Sequence, residues 1–122
     1  MLHLIGILVL SSQLLVAVET KNGFVEASFA NTSAGVEELI EFAENSLRDL
    51  GDDDGTHIII GRLDDTADRD LLIGKLASLG IPHGYATSTA IRASAERYKL
   101  VEYSPKAVAL AFRRPAGTNR PN

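Results

Sequence analysis

The hydrophobic pattern is strongest in the first twenty residues, MLHLIGILVLSSQLLVAVET, where one polar break stands at residues 11–13. A transmembrane helix needs about 20 successive apolar residues, and a secretory signal needs a basic segment before its apolar core. This segment has the polar break and no early Lys or Arg. We therefore predict two buried strands, Leu2–Leu10 and Leu14–Thr20, joined by a turn. The expected location is cytoplasmic, with no membrane anchor; export is the alternative if the segment serves as a signal.

The rest of the chain alternates strand and helix patterns. Asn22-Gly23 suits a tight hairpin because both residues tolerate positive φ, so a third strand is predicted at Gly23–Ala30. Apolar residues recur at helical spacing from Val36, after a cap in Asn31-Thr32-Ser33 and before a stop at Gly51. The further predicted elements are a strand at His57–Ile60, a helix from Thr66 to Gly80, an edge strand at Ile81–Thr87, and helices at Thr89–Tyr98 and Pro105–Arg114.

The order of these elements, β-β-β-α-β-α-β-α-α, predicts the architecture. Three antiparallel strands followed by right-handed crossovers give a mixed five-stranded sheet, with two further strands that run parallel and helices on its faces. The expected strand order is 3-2-1-4-5, which is the ribonuclease H-like arrangement of an α/β domain. We assign residues 1–114 to this single domain and residues 115–122 to a flexible C-terminal tail.

Composition narrows the chemistry. The chain has 122 residues, 45% of them hydrophobic, which suffices for one core, and it has no cysteine. Disulfides, thiolate metal sites and cysteine nucleophiles are thereby excluded. The net charge of −4 argues against a protein that binds nucleic acid through phosphate neutralisation alone. Any nucleic-acid contact is expected to be local, at Arg62 or at the arginines near the C-terminus, Arg113, Arg114 and Arg120, which otherwise form a solvated end.

Several short motifs follow one another along the chain. They are GILVLSSQLLVAV at residues 6–18, FANTSAG at 29–35, LASLGIP at 76–82 and KLVEYSPKA at 99–107. In this order and spacing they resemble the N-terminal domain of the Piv-type DNA invertases and of the related insertion-sequence transposases that carry a DEDD catalytic set. The resemblance covers nearly the whole chain. It implies a ribonuclease H-like, RuvC-like domain in which carboxylates hold two divalent ions for strand cleavage.

The positions of the family's acids carry other residues in this chain. Matching the motifs residue by residue places these positions at Leu8, at Gly61 or Arg62, at Val101, and at Ser104 or Lys106. Leucine cannot ligate Mg²⁺, and arginine repels it. The resemblance therefore implies a degenerate active site, with no metal-dependent cleavage, no cofactor and no small-molecule substrate.

Three other acids are candidates for a displaced metal site. Asp64 and Asp65 follow the fourth strand, near the mouth where open sheets bind ligands, and Glu102 stands close to the third lost acid. In the alternative interpretation, Asp64 and Asp65 are ordinary loop and helix-start residues. The histidines lack local metal-ligand spacing.

Loss of the acids with retention of the core pattern favours a protein that acts by binding. We expect a regulatory or accessory role in a mobile-element or similar system, through a protein partner; self-association and nucleic-acid binding are further options. The aromatic candidates for an interface are Tyr85, Tyr98, Tyr103 and Phe112, which are core residues in the alternative interpretation. A structural module that self-associates and a residual divalent-metal-dependent nuclease are the alternative functions.

Overall fold

A computed structural model describes residues 3–47, 55–101 and 104–112. The strands are β1 (His3–Val9), β2 (Gln13–Thr20), β3 (Gly23–Ala30), β4 (Thr56–Gly61) and β5 (His83–Ala86), and the helices are α1 (Ser33–Leu47), α2 (Asp70–Ser78), α3 (Ser88–Tyr98) and α4 (Pro105–Phe112). Each element corresponds to one predicted from the sequence, and the start of α2 differs most from its expected position.

The five strands form one sheet in the order β3-β2-β1-β4-β5. β1 pairs antiparallel with β2, and β2 with β3, whereas β4 runs parallel to both β1 and β5. The predicted α/β fold class is confirmed, with the strand order and directions expected of a ribonuclease H-like sheet. All seven residues of the central β1 are buried. Burial on both faces explains why this strand is a continuous apolar run.

The apolar opening segment supplies the central strands of the sheet. Residues 3–9 and 13–20 form β1 and β2, as predicted. At the polar break the chain turns, and the Leu10 N–H donates to the carbonyl of Gln13 at 2.8 Å. Among the helices in the described part of the chain, none combines the length and the apolar character needed to cross a bilayer.

The β2–β3 hairpin has the predicted strands and a tight turn between them. Its pairing runs without interruption up to Thr20 opposite Gly23, so Lys21 and Asn22 form the turn. Among the described residues of this turn, positive φ is confined to Gly23, at 118°. Asn22 instead donates its N–H to the Thr20 hydroxyl at 3.3 Å. The tight hairpin predicted at Asn22-Gly23 is therefore present, with positive φ on the glycine of the pair.

Two helical layers bury the sheet from opposite sides. α1 and α2 cover one face, where they pack on Ile5, Ile7 and Val9 of β1. α3 and α4 cover the other face, where they pack on Leu4 and Leu8 of the same strand. Because successive side chains of a strand point to opposite faces, β1 supplies apolar residues to both cores.

The start of α2 differs from the prediction of a helix that begins near Thr66. The helix begins at Asp70. Oδ1 of Asp64 accepts hydrogen bonds from the backbone N–H and the hydroxyl of Thr66, at 2.9 and 2.8 Å. Oδ1 of Asp68 accepts from the N–H of Asp70 at 2.9 Å. The predicted start at Thr66 was wrong because Asp64 holds Thr66 in a turn, and Asp68 instead bonds the N–H of the first helical residue, Asp70.

The starts of α1 and α3 follow the capping rule that hydroxyl side chains bond the free N–H groups of a first turn. Thr32 Oγ1 accepts from the N–H of Gly35 at 3.0 Å, and Thr87 Oγ1 accepts from the N–H of Ala90 at 3.1 Å. The predicted stop of α1 at Gly51 and the C-terminal tail lie outside the described residues.

Candidate functional site

The resemblance assigns one of the family's acids to Leu8 and another to Gly61 or Arg62, and Leu8 and Gly61 lie side by side. Leu8 is on β1 and Gly61 ends β4, and the parallel pairing places them opposite each other. Leu8 is fully buried. The carboxyl ends of parallel strands are where open α/β sheets bind ligands. This part of the sheet therefore has the geometry of a site, but its two residues are a leucine and a glycine, neither of which supplies a side-chain oxygen.

Apolar side chains fill the space in front of Gly61. A Cβ at this position would lie 2.6 Å from Cδ1 of Ile91 and 3.3 Å from Cγ1 of Val108. Ile91 belongs to α3 and Val108 to α4, and both are fully buried. A carboxylate at Gly61 would displace these side chains, and its charge would be desolvated among aliphatic groups.

The close approach of α4 to β1 depends on Gly6. A Cβ at Gly6 would clash with the carbonyl oxygen of Pro105 and would lie 2.5 Å from the backbone nitrogen of Ala109. Only a residue without a side chain lets a helix backbone lie this close to a strand. Gly6 thereby seats α4 on the sheet, in the position from which Val108 covers Gly61.

The positions to which the resemblance assigns the later acids, Val101 and either Ser104 or Lys106, lie at and before the start of α4. Ser104 is buried, and its Oγ accepts from the N–H of Lys106 at 3.2 Å. Nζ of Lys106 lies 5.4 Å from the ring centroid of Phe24 on β3. Val101 is 72% exposed. Ser104 and Val101 line a groove of about 300 Å³ against β2 and β3, and neither of the two earlier acid positions lines it.

The loop after β4, residues 62–69, is held by its own polar side chains. Nη1 of Arg62 donates to the carbonyl of Ala67 at 2.8 Å. Hydrogen bonds from the backbone N–H and the hydroxyl of Thr66, together with the nearby Arg62 guanidinium, lower the pKa of Asp64. Arg62 was a candidate for nucleic-acid contact and Asp64 for metal binding. Both have partners within this loop.

The three acids of the displaced metal site are only partly described. Asp64 and Asp65 lie on the same exposed loop. Glu102 lies outside the described residues, so its distance from the other two is not defined. Within residues 3–47, 55–101 and 104–112, no three His, Asp or Glu side chains are grouped so that they could hold a metal ion.

Among the interface candidates, Tyr85 on β5 has an exposed ring that contacts two neighbouring side chains. Its side chain is 54% exposed, and Cζ of Arg69 lies 4.9 Å from its ring centroid. The ring of His83 meets it edge-on, with centroids 5.5 Å apart. Nδ1 and Nε2 of His83 lie 3.1 Å from the Ile81 carbonyl and from the Tyr85 hydroxyl, respectively. A neutral imidazole satisfies both contacts when Nδ1–H donates to Ile81 and the tyrosine hydroxyl donates to Nε2.

Arg69, His83 and Tyr85, here named the Tyr85 cluster, differ from the other aromatic candidates. Phe112 is 48% exposed but stacks on His57, with ring centroids 4.3 Å apart. Tyr98 ends α3 and is half-buried. Tyr103 lies outside the described residues, as do the nucleic-acid candidates Arg113, Arg114 and Arg120.

Asn31 has a role that the sequence did not reveal. It was assigned to the cap of α1, yet its Nδ2 donates to the carbonyl of Leu10 at 3.0 Å and to that of Asp68 at 2.8 Å. It therefore ties the end of β1 to the loop before α2. A side chain that bridges two segments distant in sequence leaves no local signal. Gly6 did leave one, because a glycine inside an apolar strand indicates close backbone approach.

No protein-family model matches the chain, and no curated protein shows significant similarity to it. The resemblance to transposase and invertase domains therefore rests on the motifs alone. The adjacency of Leu8 and Gly61 and the packing on Gly61 are observations on this chain itself.

Proposed function

We propose that the protein is a non-catalytic, transposase-like binding domain that acts as a regulatory or accessory protein through a protein partner. The observation that carries the proposal is the filled space at Gly61, where Ile91 and Val108 leave no room for a carboxylate. Its neighbour Leu8 is fully buried and has no oxygen to offer a metal. A domain of this kind retains surfaces to bind with. The proposed location is the cytoplasm, because the apolar opening segment is built into the sheet.

Charge supports a protein partner over nucleic acid. The net charge of −4 opposes the approach of phosphates. Arg62, which would be the basic residue nearest the former site, already donates to the backbone of its own loop. Nucleic-acid binding would then depend on the arginines near the C-terminus.

The Tyr85 cluster is the proposed contact surface. Tyrosine and arginine are the residues most enriched among those that dominate interface energies. Here the arginine lies over the exposed tyrosine ring and His83 bonds its hydroxyl. Because these contacts fix the ring before a partner arrives, binding costs less side-chain entropy.

The test is recovery of crosslinked partners by the tagged protein in its native cell. Tyr85→Ala removes the ring, and we expect it to reduce recovery of the partner about tenfold or more. Val101→Ser is the matched control, since it changes another exposed side chain, one that lines the groove against β2 and β3, across the sheet from β5. Circular dichroism establishes that both variants are folded.

Two assays on the purified protein address the competing functions. A gel shift at low salt tests nucleic-acid binding, and incubation of DNA and RNA with Mg²⁺ or Mn²⁺ tests cleavage. The proposal expects neither effect. Metal-dependent cleavage would refute a non-catalytic role, and a salt-sensitive shift would replace the protein partner with nucleic acid. A partner that is recovered equally by Tyr85→Ala would place the contact surface elsewhere.

A further inference from the structure

The two edge strands of the sheet differ in how they are protected against pairing. β5 has four residues, follows a proline, and carries His83 and Tyr85 of the Tyr85 cluster. β3 has eight residues in the sequence GFVEASFA, and its register with β2 is continuous. Natural sheets protect long edges with lysine, proline or a bulge. β3 has no lysine, proline or bulge and a single charged residue, Glu26, while α1 lies against its backbone at the last residue, Ala30.

The hydrogen bonds of the hairpin determine which backbone groups of β3 face outward. The N–H of Asn31 donates to the carbonyl of Ser12 at 3.1 Å, so this directly opposed pair is hydrogen-bonded. Pairs alternate along an antiparallel ladder. The odd-numbered residues of β3 therefore bond to β2. The N–H and C=O groups of Phe24, Glu26 and Ser28 point away from the sheet and are available to another strand.

The side chains of this edge are arranged for a strand partner. Val25 is 42% exposed, and it lies on the same face as Phe29, which contacts Phe42 of α1 with ring centroids 5.7 Å apart. An exposed valine and a half-buried phenylalanine on one face form an apolar strip. Glu26 and Ser28 point to the opposite face.

We propose that β3 pairs antiparallel with β3 of a second copy of this chain, about a two-fold axis at Ala27. Hydrogen bonding between outward groups requires even-numbered residues to face even-numbered residues. An axis at Glu26 would satisfy this rule, but it places two carboxylates directly opposite each other, which is destabilising. An axis at Ala27 places Glu26 opposite the partner's Ser28.

This register also matches the apolar strip. Val25 faces the partner's Phe29, and cross-strand pairs of aromatic and β-branched residues stabilise a sheet. Each Glu26 exchanges two backbone hydrogen bonds with the partner's Ser28. The result is one continuous sheet through both copies, built by strand addition to an exposed edge.

The pairing is independent of the Tyr85 cluster, which lies at the other edge of the sheet. Pairing through one strand of eight residues makes a small interface. Interfaces that bury less than roughly 1,200 Å² in total tend to be transient. Sedimentation velocity at concentrations up to about 1 mM is therefore the appropriate measurement. We expect a reversible monomer–dimer equilibrium. A strict monomer over that range would overturn the proposal.

Glu26→Pro tests the edge itself. The N–H that it removes faces outward, so the β2–β3 ladder keeps its bonds, while the pairing loses a donor from each copy. We expect dimerisation to weaken at least tenfold. Glu26→Ala is the matched control: it retains the N–H and removes the carboxylate, and it should dimerise as well as or better than the wild type. If Glu26→Pro does not fold, Val25→Lys takes its place. A dimer that survives the folded variant would place the interface elsewhere.

Single cysteines test the register, since the chain has none of its own. With the axis at Ala27, Ala27→Cys faces its own copy across a non-hydrogen-bonded pair, where the Cα atoms are about 4.5 Å apart and a disulfide can form. Glu26→Cys would face the partner's Ser28, and its own copy diagonally, beyond disulfide range. We expect oxidation to crosslink Ala27→Cys at least tenfold more than Glu26→Cys. The reverse preference would refute the proposed axis.

Discussion

The two helical layers lie at different distances from the centre of the sheet. On the α3–α4 face, the helices lie so near that a Cβ at Gly6 or Gly61 would clash. On the opposite face, α1 approaches β3 closely, but over β1 and β4 the helices α1 and α2 leave a cleft of about 180 Å³, lined by aliphatic side chains such as Ile5 and Leu76. Both layers use the same strand β1. The difference therefore comes from the helices and the glycines beneath them.

The contrast bears on the proposal that an active site was lost from this sheet. The closely packed face holds Leu8 and Gly61, two of the positions to which the resemblance assigns the family's acids. Replacement of an acid by leucine or glycine removes charge, and a helix can then settle on the vacated surface and exclude water from it. Protein interiors transmit strain because they are close-packed. We expect the α3–α4 face to resist added volume and the α1–α2 face to accept it.

Gly6→Val should have the largest effect. Its side chain would collide with the backbone of α4 at Pro105 and Ala109, and backbone cannot move aside as a flexible side chain can. We expect a loss of about 3 kcal/mol or more in the free energy of unfolding. Urea denaturation followed by circular dichroism measures it.

Gly74→Ala provides the control for that substitution. Gly74 lies in α2, one of the two helices of the α1–α2 face. A Cβ at this position would meet no heavy atom within 4 Å. Because alanine is the better helix former, this change should stabilise the protein by about 0.5–1 kcal/mol. A destabilisation of similar size in both variants would remove the distinction between the faces.

A matched pair of alanines tests the same contrast with smaller effects. Ala109→Leu adds volume where α4 lies against Gly6, and we expect a loss of about 1–3 kcal/mol through overpacking. Ala43→Leu adds the same atoms beside the aliphatic cleft, which Ala43 lines. There we expect a change of less than about 1 kcal/mol. Thermal unfolding of the two variants decides the matter, and equal costs would contradict the comparison.

The sequence was sufficient for the sheet because β1 is apolar at nearly every position. A strand that is buried on both faces has no alternation, and its length and bounding turn residues identified it. The start of α2 could not be located in the same way. Thr66 and Asp68 are both good caps by type, and only the geometry of the loop determines which of them bonds the first turn.

For the candidate site, the sequence predicted which strands lie side by side, but it did not predict how the helices pack on them. Parallel pairing of β1 and β4 brings Leu8 and Gly61 together once the strand order is known. The docking of Ile91 on Gly61 depends on how two helices share one face, and sequence spacing does not encode it. The contact between Arg69 and Tyr85 joins residues distant in sequence and likewise has no local pattern.

The smallest expected effect concerns the loop that leads from β4 into the looser layer. The N–H and hydroxyl of Thr66 and the Arg62 guanidinium hold the pKa of Asp64 below its ordinary value. A lowered pKa means that the charged carboxylate stabilises the folded state above the unfolded pKa of about 3.9. That contribution is lost as the pH falls through the folded pKa. Asp64→Asn should therefore be slightly less stable than the wild type at pH 7, and this difference should shrink below about pH 4.

Asp65→Asn is the control for this measurement, since it removes the same charge from the same loop without touching the hydrogen bonds to Thr66. Thermal unfolding from pH 7 to pH 3 compares the two variants with the wild type. A pH-dependent difference confined to Asp64→Asn means that the Thr66 turn anchors the loop before α2. An identical pH dependence in both variants would mean that the loss of one negative charge alone changes the stability. The hydrogen bonds from Thr66 to Asp64 would then not anchor the loop before α2.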